Sequence, residues 1–478
     1  MALTAIGASG ASVGKQPAKP NVLFIAVDDL NDWASTMGGY RGKIHTPNIE
    51  RLASMGITFT NAHCTAPSSA PSRAAVMTGV HTATSGMFDN GQQWREIPRL
   101  AQAITIPEYF RQHGYRVTGG GKIFHALSWF RQQDAAGNIS DGDNDPKCWD
   151  EYYPNLLRCM PDELYPPVMT EVADRPLKWF NWGPLDDNRL DSMADHRTVN
   201  WAIGELVKKH EKPFFQAVGL FRPHIPWYVP QLFYDLYPKD EVLLPIVRAD
   251  DLADARTHNR VHWHKWVLDN GFWKDCIQGY LASITYMDYE LGRLLDALEA
   301  SEYAKNTIIV LWSDNGLQLG QKENWEKFTL WEGSTRVAFM LAAPGVTIPG
   351  SVHPHPVSLL DIYPTLNSLC GFAQRDDIEG KDLMPVLKNP MLNTKRAVVC
   401  TNFFQNHAVR SDRYRYIIYS DGFEELYDRS IDPYEFNNLV FTAEGKAKYA
   451  PVVAEMKQWL PTINTPRPRQ TKRSILVE

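Results

Sequence analysis

The sequence predicts an α/β fold in which helices sandwich a large, mainly parallel sheet and a smaller C-terminal α+β subdomain follows. Long, unbroken apolar runs recur along the chain, beginning with NVLFIAVDDL at residues 21–30. Such runs are typical of strands buried on both faces of a parallel sheet. Segments with helical periodicity lie between these runs, and the alternation of strands with helices indicates an α/β architecture.

Further elements follow the same two patterns. Apolar runs predict three more strands, at residues 214–220, 307–316 and 336–345. Apolar residues at helical spacing predict helices at residues 46–56, 105–114, 194–210 and 280–301.

The chain changes character after about residue 372. Short strand-like segments with turns, such as AVRSDRYRYIIYS and EELYDRSID, replace the long runs, and residues 452–460 predict a closing helix. We therefore predict a leader or linker at 1–19, a main domain at 20–390 and a subdomain at 391–478.

Composition narrows the classes of function. The 478 residues carry a net charge of −6, so no basic footprint for nucleic acid is present. No apolar run approaches the roughly 18–20 residues that span a bilayer. The N-terminal segment is rich in small residues but lacks a basic start, so it is either an incomplete secretory signal or a flexible leader. We expect a periplasmic or secreted protein whose signal peptide is missing or incomplete.

The six cysteines are widely spread and form no CxxC motif, which argues against a zinc site. Cys148 and Cys159 lie close together in a loop-like segment. They predict a disulfide if the protein is exported, and two free thiols are the alternative.

Two buried strands end in oxygen-bearing pairs, Asp28-Asp29 and Asp314-Asn315. In open α/β sheets, ligands bind beyond the carboxyl ends of the strands. Four oxygen donors brought together there would suit a hard cation such as Ca²⁺ or Mg²⁺, whereas zinc would favour His or Cys. One acidic strand end alone is more often a turn or a helix cap, but two matching ends favour a metal site.

The stretch CTAPSSAPSRAAVMTG at residues 64–79 predicts the start of a helix. Ser69 would be the N-cap, Pro71 would lie in the first turn and Gly79 would end the helix. A hydroxyl at a helix N-terminus beside Arg73 is also suited to holding an anion.

Three basic segments lie next to predicted strands or glycine turns. GGGKIFH (119–125) contains Lys122 and His125, RPHIPW (222–227) contains His224, and ENWEKF (323–328) contains Lys327. A single loop lysine or histidine is usually a solvated surface residue. Three such segments together indicate a functional site.

These motifs together carry a family resemblance. VDDL, SAPSR followed by MTG, GKIFH, RPHIP, SDNG and ELYDRSIDPYEFNNL resemble the formylglycine-dependent sulfatases of the alkaline phosphatase superfamily. GKIFH, RPHIPWYVPQLFYDLYP and YLASITYMDYELGRLLDAL are most similar to iduronate-2-sulfatase-like polysaccharide sulfatases, and the likeness spans roughly residues 20–440. The resemblance implies that 20–390 is the catalytic domain of a sulfuric ester hydrolase acting on a sulfated oligosaccharide or polysaccharide.

The family motif places the nucleophile at Ser69, because Arg73 follows it at the family spacing, whereas Cys64 lies five residues too early. The resemblance implies that a maturase oxidises this residue to formylglycine, whose hydrated aldehyde is the working nucleophile. Serine departs from the commoner cysteine, so Ser69 is either a natural precursor or a Cys→Ser substitution. Unmodified, it should bind sulfate esters but turn them over poorly.

The resemblance also implies a divalent ion, Ca²⁺ with Mg²⁺ as the alternative, held at the two strand ends. Its implied ligands are Asp28, Asp29, Ser69, Asp314 and Asn315.

Five further residues receive catalytic roles by the same resemblance. Arg73 would hydrogen-bond the nucleophile, and Lys122 and Lys327 would clamp the sulfate oxygens. His224 would be the general acid for the leaving alcohol. His125 would act as the base that expels sulfate and regenerates the aldehyde.

Aromatic side chains are the candidates for sugar contacts. We name Trp94, Trp129, Trp227 and His407, although buried core aromatics are the commoner case. The aperiodic segment 128–192 is rich in Asp, Asn, Pro, Trp and Tyr, which favours a binding loop. The likeness points to a sulfated uronic acid or galactose unit.

Two other functions remain open at this point. One is a phosphodiesterase or phosphonate monoester hydrolase of the same superfamily, which often shares the formylglycine motif. The other is a glycan-binding pseudosulfatase in which Ser69 stays inert.

Overall fold

The computed structural model describes residues 19–125, 144–155, 176, 180–257 and 261–469. Its strands, in chain order, are β1 (Asn21–Asp28), β2 (Ile57–Phe59), β3 (Ala62–His63), β4 (Arg116–Gly121), β5 (Glu151–Tyr153), β6 (Trp182–Leu185), β7 (Phe214–Pro223), β8 (Trp227–Pro230), β9 (Thr307–Ser313), β10 (Gln318–Leu319), β11 (Trp325–Glu326), β12 (Phe339–Ala342), β13 (Ser351–His353), β14 (Val357–Ser358), β15 (Val398–Thr401), β16 (His407–Arg410), β17 (Tyr414–Ile418) and β18 (Glu424–Asp428).

The α-helices of the same residues are α1 (Pro47–Met55), α2 (Ser69–Thr78), α3 (Thr82–Ser85), α4 (Ile106–Gln112), α5 (Ala194–Leu206), α6 (Gln231–Tyr234), α7 (Val261–Asp269), α8 (Trp273–Ala300), α9 (Glu332–Thr335), α10 (Ile362–Leu369), α11 (Met384–Lys388) and α12 (Ala443–Lys457). None of these helices combines the length and the apolar character needed to cross a membrane.

The central sheet has eight strands in the order β13-β2-β12-β9-β1-β7-β4-β5. All neighbouring pairs are parallel except those of β12, which runs antiparallel to β2 and β9. The chain doubles back after β9 without a long crossover helix, which allows this one reversal. The prediction of a large, mainly parallel sheet is confirmed.

Strand β1 lies at the centre of the sheet and divides the interior into two cores. Every second side chain from Val22 to Ala26 lies in the core that contains residues of α2, α4 and α10. The alternate side chains from Leu23 to Val27 lie in the core on the α8 side. Because both faces of the strand are buried, its sequence is an unbroken apolar run.

A separate four-stranded antiparallel sheet, β15-β16-β17-β18, forms the C-terminal subdomain. It has its own apolar cluster, in which Val409, Tyr416 and Leu426 of the sheet pack with Met456 of α12. The predicted boundary at residue 391 stays a prediction.

Two helices begin earlier than the sequence indicates. Helix α8 begins at Trp273 rather than at residue 280, and α12 begins at Ala443 rather than at residue 452. Pro451 lies inside α12. Because proline usually interrupts a helix, the pattern before it was missed.

Candidate active site

The acidic ends of β1 and β9 meet at one edge of the central sheet. Val27 pairs with Ser313 in parallel register, so the residues that follow each strand lie side by side. The Asp29 backbone N–H donates to Asp314 Oδ1 at 3.0 Å, and Asp29 adopts a left-handed φ of 60°. Carboxylate oxygens of Asp28, Asp29 and Asp314 all lie within 4.8 Å of one another and are buried. The structure therefore brings the predicted metal ligands together.

Ser69 is the first residue of α2 and is fully buried. Its Oγ lies 3.4 Å from Asp28 Oδ1 and 3.2 Å from Asn315 Oδ1. The helix start thus points the hydroxyl at the carboxyl ends of β1 and β9. Positive charge from the helix N-terminus favours an anion there.

The cap of α2 differs from the prediction. Ser68, not Ser69, is the N-cap residue, and its side chain makes no cap bond. Instead, Asn90 Oδ1 accepts from the Ala70 backbone N–H at 2.9 Å and from Ser68 Oγ at 2.8 Å. Sequence reasoning missed Asn90 because it lies in a separate loop and bears no motif.

Arg73 lies one helical turn after Ser69 and is fully buried. Its Nε donates to Asp314 Oδ2 at 2.8 Å, and its Nη2 donates to Asp28 Oδ1 at 3.1 Å. Its Nη1 donates to the backbone oxygen of Lys122 at 2.6 Å. In this structure the guanidinium bonds the two carboxylates and the backbone, and its expected hydrogen bond to the nucleophile at position 69 stays a prediction.

Both predicted lysines reach the cluster and are almost completely buried. Lys122 Nζ contacts Asp28 Oδ2. Lys327 Nζ contacts Asp29 Oδ1 and donates to Ser69 Oγ at 2.8 Å. Their ammonium groups therefore surround the nucleophile position with positive charge.

The two predicted histidines flank the same cluster. His224 Nε2 lies 3.6 Å from Asp29 Oδ2, and its Nδ1 lies 2.5 Å from the Ile225 backbone oxygen. His125 Nδ1 is buried without a hydrogen-bond partner. Burial, together with the charge of Lys122, lowers the pKa of both imidazoles well below its usual value. Both rings are therefore neutral near pH 7 in this structure.

The two adjacent carboxyl groups of β1 differ in acidity. Burial alone would raise the pKa of Asp28, but the neighbouring positive charges, Lys122 foremost, outweigh it and hold that pKa well below its usual value. Burial, with a smaller contribution from the carboxylates of Asp28 and Asp314, raises the pKa of Asp29 to about 6 despite the opposing charge of Lys327. A cation bound between them would favour the ionised form of both groups.

A family model described as sulfatase matches residues 20–372, which is most of the chain. The chain belongs to the sulfatase family. The protein is therefore an enzyme of the sulfuric ester hydrolase class, and the resemblance drawn from the motifs is confirmed. A second model, described as N-sulphoglucosamine sulphohydrolase, C-terminal, matches residues 320–465 of this sulfatase.

Individual proteins support the same assignment. A sulfatase of Formosa agariphila is 39% identical over 95% of this chain and 88% of its own length. Mouse iduronate 2-sulfatase is 33% identical over 69% of this chain, which spans 60% of the mouse protein. The crystal structure of a phosphonate monoester hydrolase of Agrobacterium radiobacter superposes with a TM-score of 0.71 at 21% identity, covering 92% of this chain and 96% of that one. That last likeness shows the fold.

The sugar-contact residues expected in this sulfatase are largely core residues. Trp94 is 1% exposed and stacks on Phe124, and Trp227 is 1% exposed and donates from Nε1 to the Pro223 backbone oxygen at 2.8 Å. Neither ring has an exposed face in this structure, and the two sugar-contact assignments stay predictions. Trp129 lies outside the described residues.

His407 is also buried, with Nδ1 2.9 Å from Thr401 Oγ1. Burial, with the charge of His81, lowers the pKa of its imidazole to about 4. The role of His407 as a sugar contact stays a prediction.

Cys64 and Cys148 are buried free cysteines of this sulfatase. Cys64 is buried 4.0 Å from Cys400 Sγ, and burial raises the pKa of its thiol well above its usual value, as expected for an unreactive thiol. Cys148 is a buried free cysteine with Sγ 3.1 Å from Thr105 Oγ1. Cys159, its expected disulfide partner, lies outside the described residues.

Proposed function

We propose that this sulfatase hydrolyses sulfate monoesters on a sulfated oligosaccharide or polysaccharide, using formylglycine at position 69 and a divalent cation. The observation that carries the proposal is the position of Ser69 Oγ, which contacts a carboxylate, an amide oxygen and an ammonium group at the end of a helix. In-line attack on a sulfate ester needs a nucleophile surrounded by such charge.

The donor set fits a hard cation. Three buried carboxylates, the amide oxygen of Asn315 and the oxygen of residue 69 offer only oxygen ligands. Ca²⁺ takes six to eight oxygen ligands, and Mg²⁺ is the alternative. When bound, such an ion polarises a sulfate oxygen and stabilises negative charge on the nucleophile.

The charges of the chain itself balance in the cluster. Its three carboxylates and three basic groups are Asp28, Asp29, Asp314, Arg73, Lys122 and Lys327. Because these charges cancel, a divalent cation gives the site a net charge of +2. An anionic sulfate ester is then attracted to the site, and Lys122 and Lys327 are placed to turn from their carboxylates to its oxygens.

The histidines provide the proton transfers. Neutral His125 has a free buried Nδ1, which fits a base acting on a hydroxyl of residue 69. His224 has to carry a proton to act as the general acid, and the negative charge of a bound sulfate ester would raise its pKa toward that state. Residue 69 itself contributes two hydroxyls as the hydrated aldehyde, one for attack and one for regeneration.

A glycan is the substrate class that the relatives support. Their names include iduronate 2-sulfatase and an ulvan-active sulfatase of Formosa agariphila. Polymeric glycans lie outside the cell, so we also propose a periplasmic or secreted location and maturation by a formylglycine-generating enzyme.

The test compares the protein with Ser69→Cys and Ser69→Ala variants, each produced with serine-type and cysteine-type maturases. Peptide mass identifies the aldehyde at position 69, and sulfate release is measured on sulfated oligosaccharides. We expect release only from the proteins that carry the aldehyde. If formylglycine is present and no sulfated glycan or aryl sulfate is cleaved, the proposal is wrong. Faster cleavage of an aryl phosphonate than of an aryl sulfate would favour the phosphonate hydrolase alternative. Glycan binding by a protein in which Ser69 stays unmodified would favour the pseudosulfatase alternative.

A further inference from the structure

Lys327 lies in a backbone segment that the local sequence does not favour. Glu326 and Phe328, on either side of it, have left-handed φ values of 66° and 72°. Lys322 and Glu323, a few residues earlier, have φ values of 48° and 51°. Left-handed conformations cost free energy for residues other than glycine, so contacts elsewhere have to maintain the segment.

Two hydrogen bonds hold the residue next to Lys327. The Phe328 backbone N–H donates to the Pro67 oxygen at 3.1 Å, two residues before the nucleophile. The Phe328 oxygen accepts from Asn402 Nδ2 at 2.6 Å. Phe328 is thus bound to the nucleophile segment on one side and to the C-terminal subdomain on the other.

Asn402 is itself well anchored. It follows β15 directly, is 6% exposed, and its backbone N–H donates to the Asn406 oxygen at 3.0 Å. One residue earlier, the Thr401 backbone N–H donates to the Thr65 oxygen at 2.8 Å. The end of β15 therefore contacts both the segment that carries Lys327 and the segment that leads to Ser69.

We propose that Asn402 of the C-terminal subdomain is a positioning residue that holds Lys327 against Ser69. This inference rests on the proposed function, since it assigns to Lys327 a role at the sulfate. Without the Asn402 donor, the strained segment can relax, and the ammonium group leaves the position from which it contacts Ser69 Oγ. The subdomain thereby takes part in catalysis without contacting the reacting atoms.

The test uses two variants of Asn402 and a matched control. Asn402→Asp keeps the shape of the side chain and removes the N–H donor to the Phe328 oxygen. Asn402→Ala removes both the donor and the rest of the side chain. Asn406→Ala is the control, because Asn406 lies in the same hairpin and its side chain instead accepts from the Ser420 N–H at 2.8 Å. Hydrogen exchange is measured on the unmodified proteins, and hydrolysis of 4-nitrophenyl sulfate on the formylglycine forms.

We expect faster exchange of the peptide containing Phe328 in both Asn402 variants and unchanged exchange in Asn406→Ala. A misplaced catalytic group can cost up to about 100-fold in rate, so we expect kcat to fall about 10- to 100-fold with KM changed less than about threefold. A purely structural loss would lower the active fraction and the thermal midpoint instead.

Unchanged exchange, or unchanged kcat, in both Asn402 variants would overturn the inference. The Lys327→Ala variant separates this failure from failure of the proposed function. If Lys327→Ala keeps full kcat, the role proposed for Lys327 is wrong, and the exchange measurement still decides whether Asn402 orders the segment.

Discussion

Replacing Arg73 by methionine should destabilise the protein strongly, because its guanidinium neutralises two carboxylates that have no access to water. Arg73, Asp28 and Asp314 have side chains with 0% exposure, and the ion-pair distances are 3.1 and 2.8 Å. Removing one partner of a buried ion pair costs about 3–5 kcal/mol, since the remaining charge is left uncompensated. We expect a loss of that size in the free energy of unfolding of Arg73→Met.

The matched control is Arg51→Met. Arg51 also bonds two carboxylates, Asp296 and Glu299, but these side chains are 72% and 51% exposed. Exposed ion pairs contribute about 0–1 kcal/mol to stability, so the free energy of unfolding of Arg51→Met should stay close to that of the unsubstituted protein.

The assay is urea unfolding followed by tryptophan fluorescence, with EDTA and again with CaCl₂. A cation between the strand ends should partly replace the charge of Arg73, so calcium should narrow the deficit of Arg73→Met and leave that of Arg51→Met unchanged. Equal deficits in the two variants, or a deficit that calcium does not alter, would refute the electrostatic reasoning.

Three further predictions concern the cap, an interior histidine and a helix end. Asn90→Ala should lower the free energy of unfolding by about 1 kcal/mol, because α2 loses the acceptor for its first backbone N–H groups. The kcat of the formylglycine form should fall as well. Asn90→Asp keeps an acceptor oxygen and should retain most of the stability that Asn90→Ala loses. The pKa of His407, lowered to about 4 by burial, lies below the ordinary value of about 6.5, so protonation favours the unfolded chain. This contribution to the free energy of unfolding is fully present above pH 6.5, and up to about 3 kcal/mol of it is lost as the pH falls toward 4. Over that window the thermal midpoint of His407→Gln should fall less than that of the unsubstituted protein. Parallel pH profiles of the two proteins would contradict this. Gly79→Ala should lower the thermal midpoint more than Gly114→Ala. Both glycines have a left-handed φ, but only at Gly79 would a Cβ lie 2.5 Å from the Ile378 side chain. Equal losses would show that the backbone conformation alone determines the cost of the substitution.

The site residues that could be predicted from the sequence are those whose position follows from the strand or helix to which they belong. Asp28 and Asp314 were predicted to meet because they end buried parallel strands, and Arg73 was tied to Ser69 by one helical turn. Both expectations depend on local regularity, which the apolar pattern reveals.

What the sequence missed depends on contacts between distant segments. Asn90 and Asn402 are ordinary loop residues until the fold places their amides beside α2 and Phe328. Trp94 and Trp227 were named as sugar contacts although their rings are buried, because aromatic residues occur both in cores and in sugar-binding sites. Only the packing of their faces distinguishes the two cases.

The central position of β1 has a consequence for how this enzyme can change. A deletion or insertion of one residue within the strand would exchange the side chains of the two cores. The same shift would move the carboxylates of Asp28 and Asp29 out of their present positions beside Asp314. The packing of the two cores and the geometry of the active site therefore depend on the same register of β1. A one-residue shift in this strand would disrupt both together. Engineering of substrate preference is therefore best confined to the loops beyond the sheet, with β1 left unaltered.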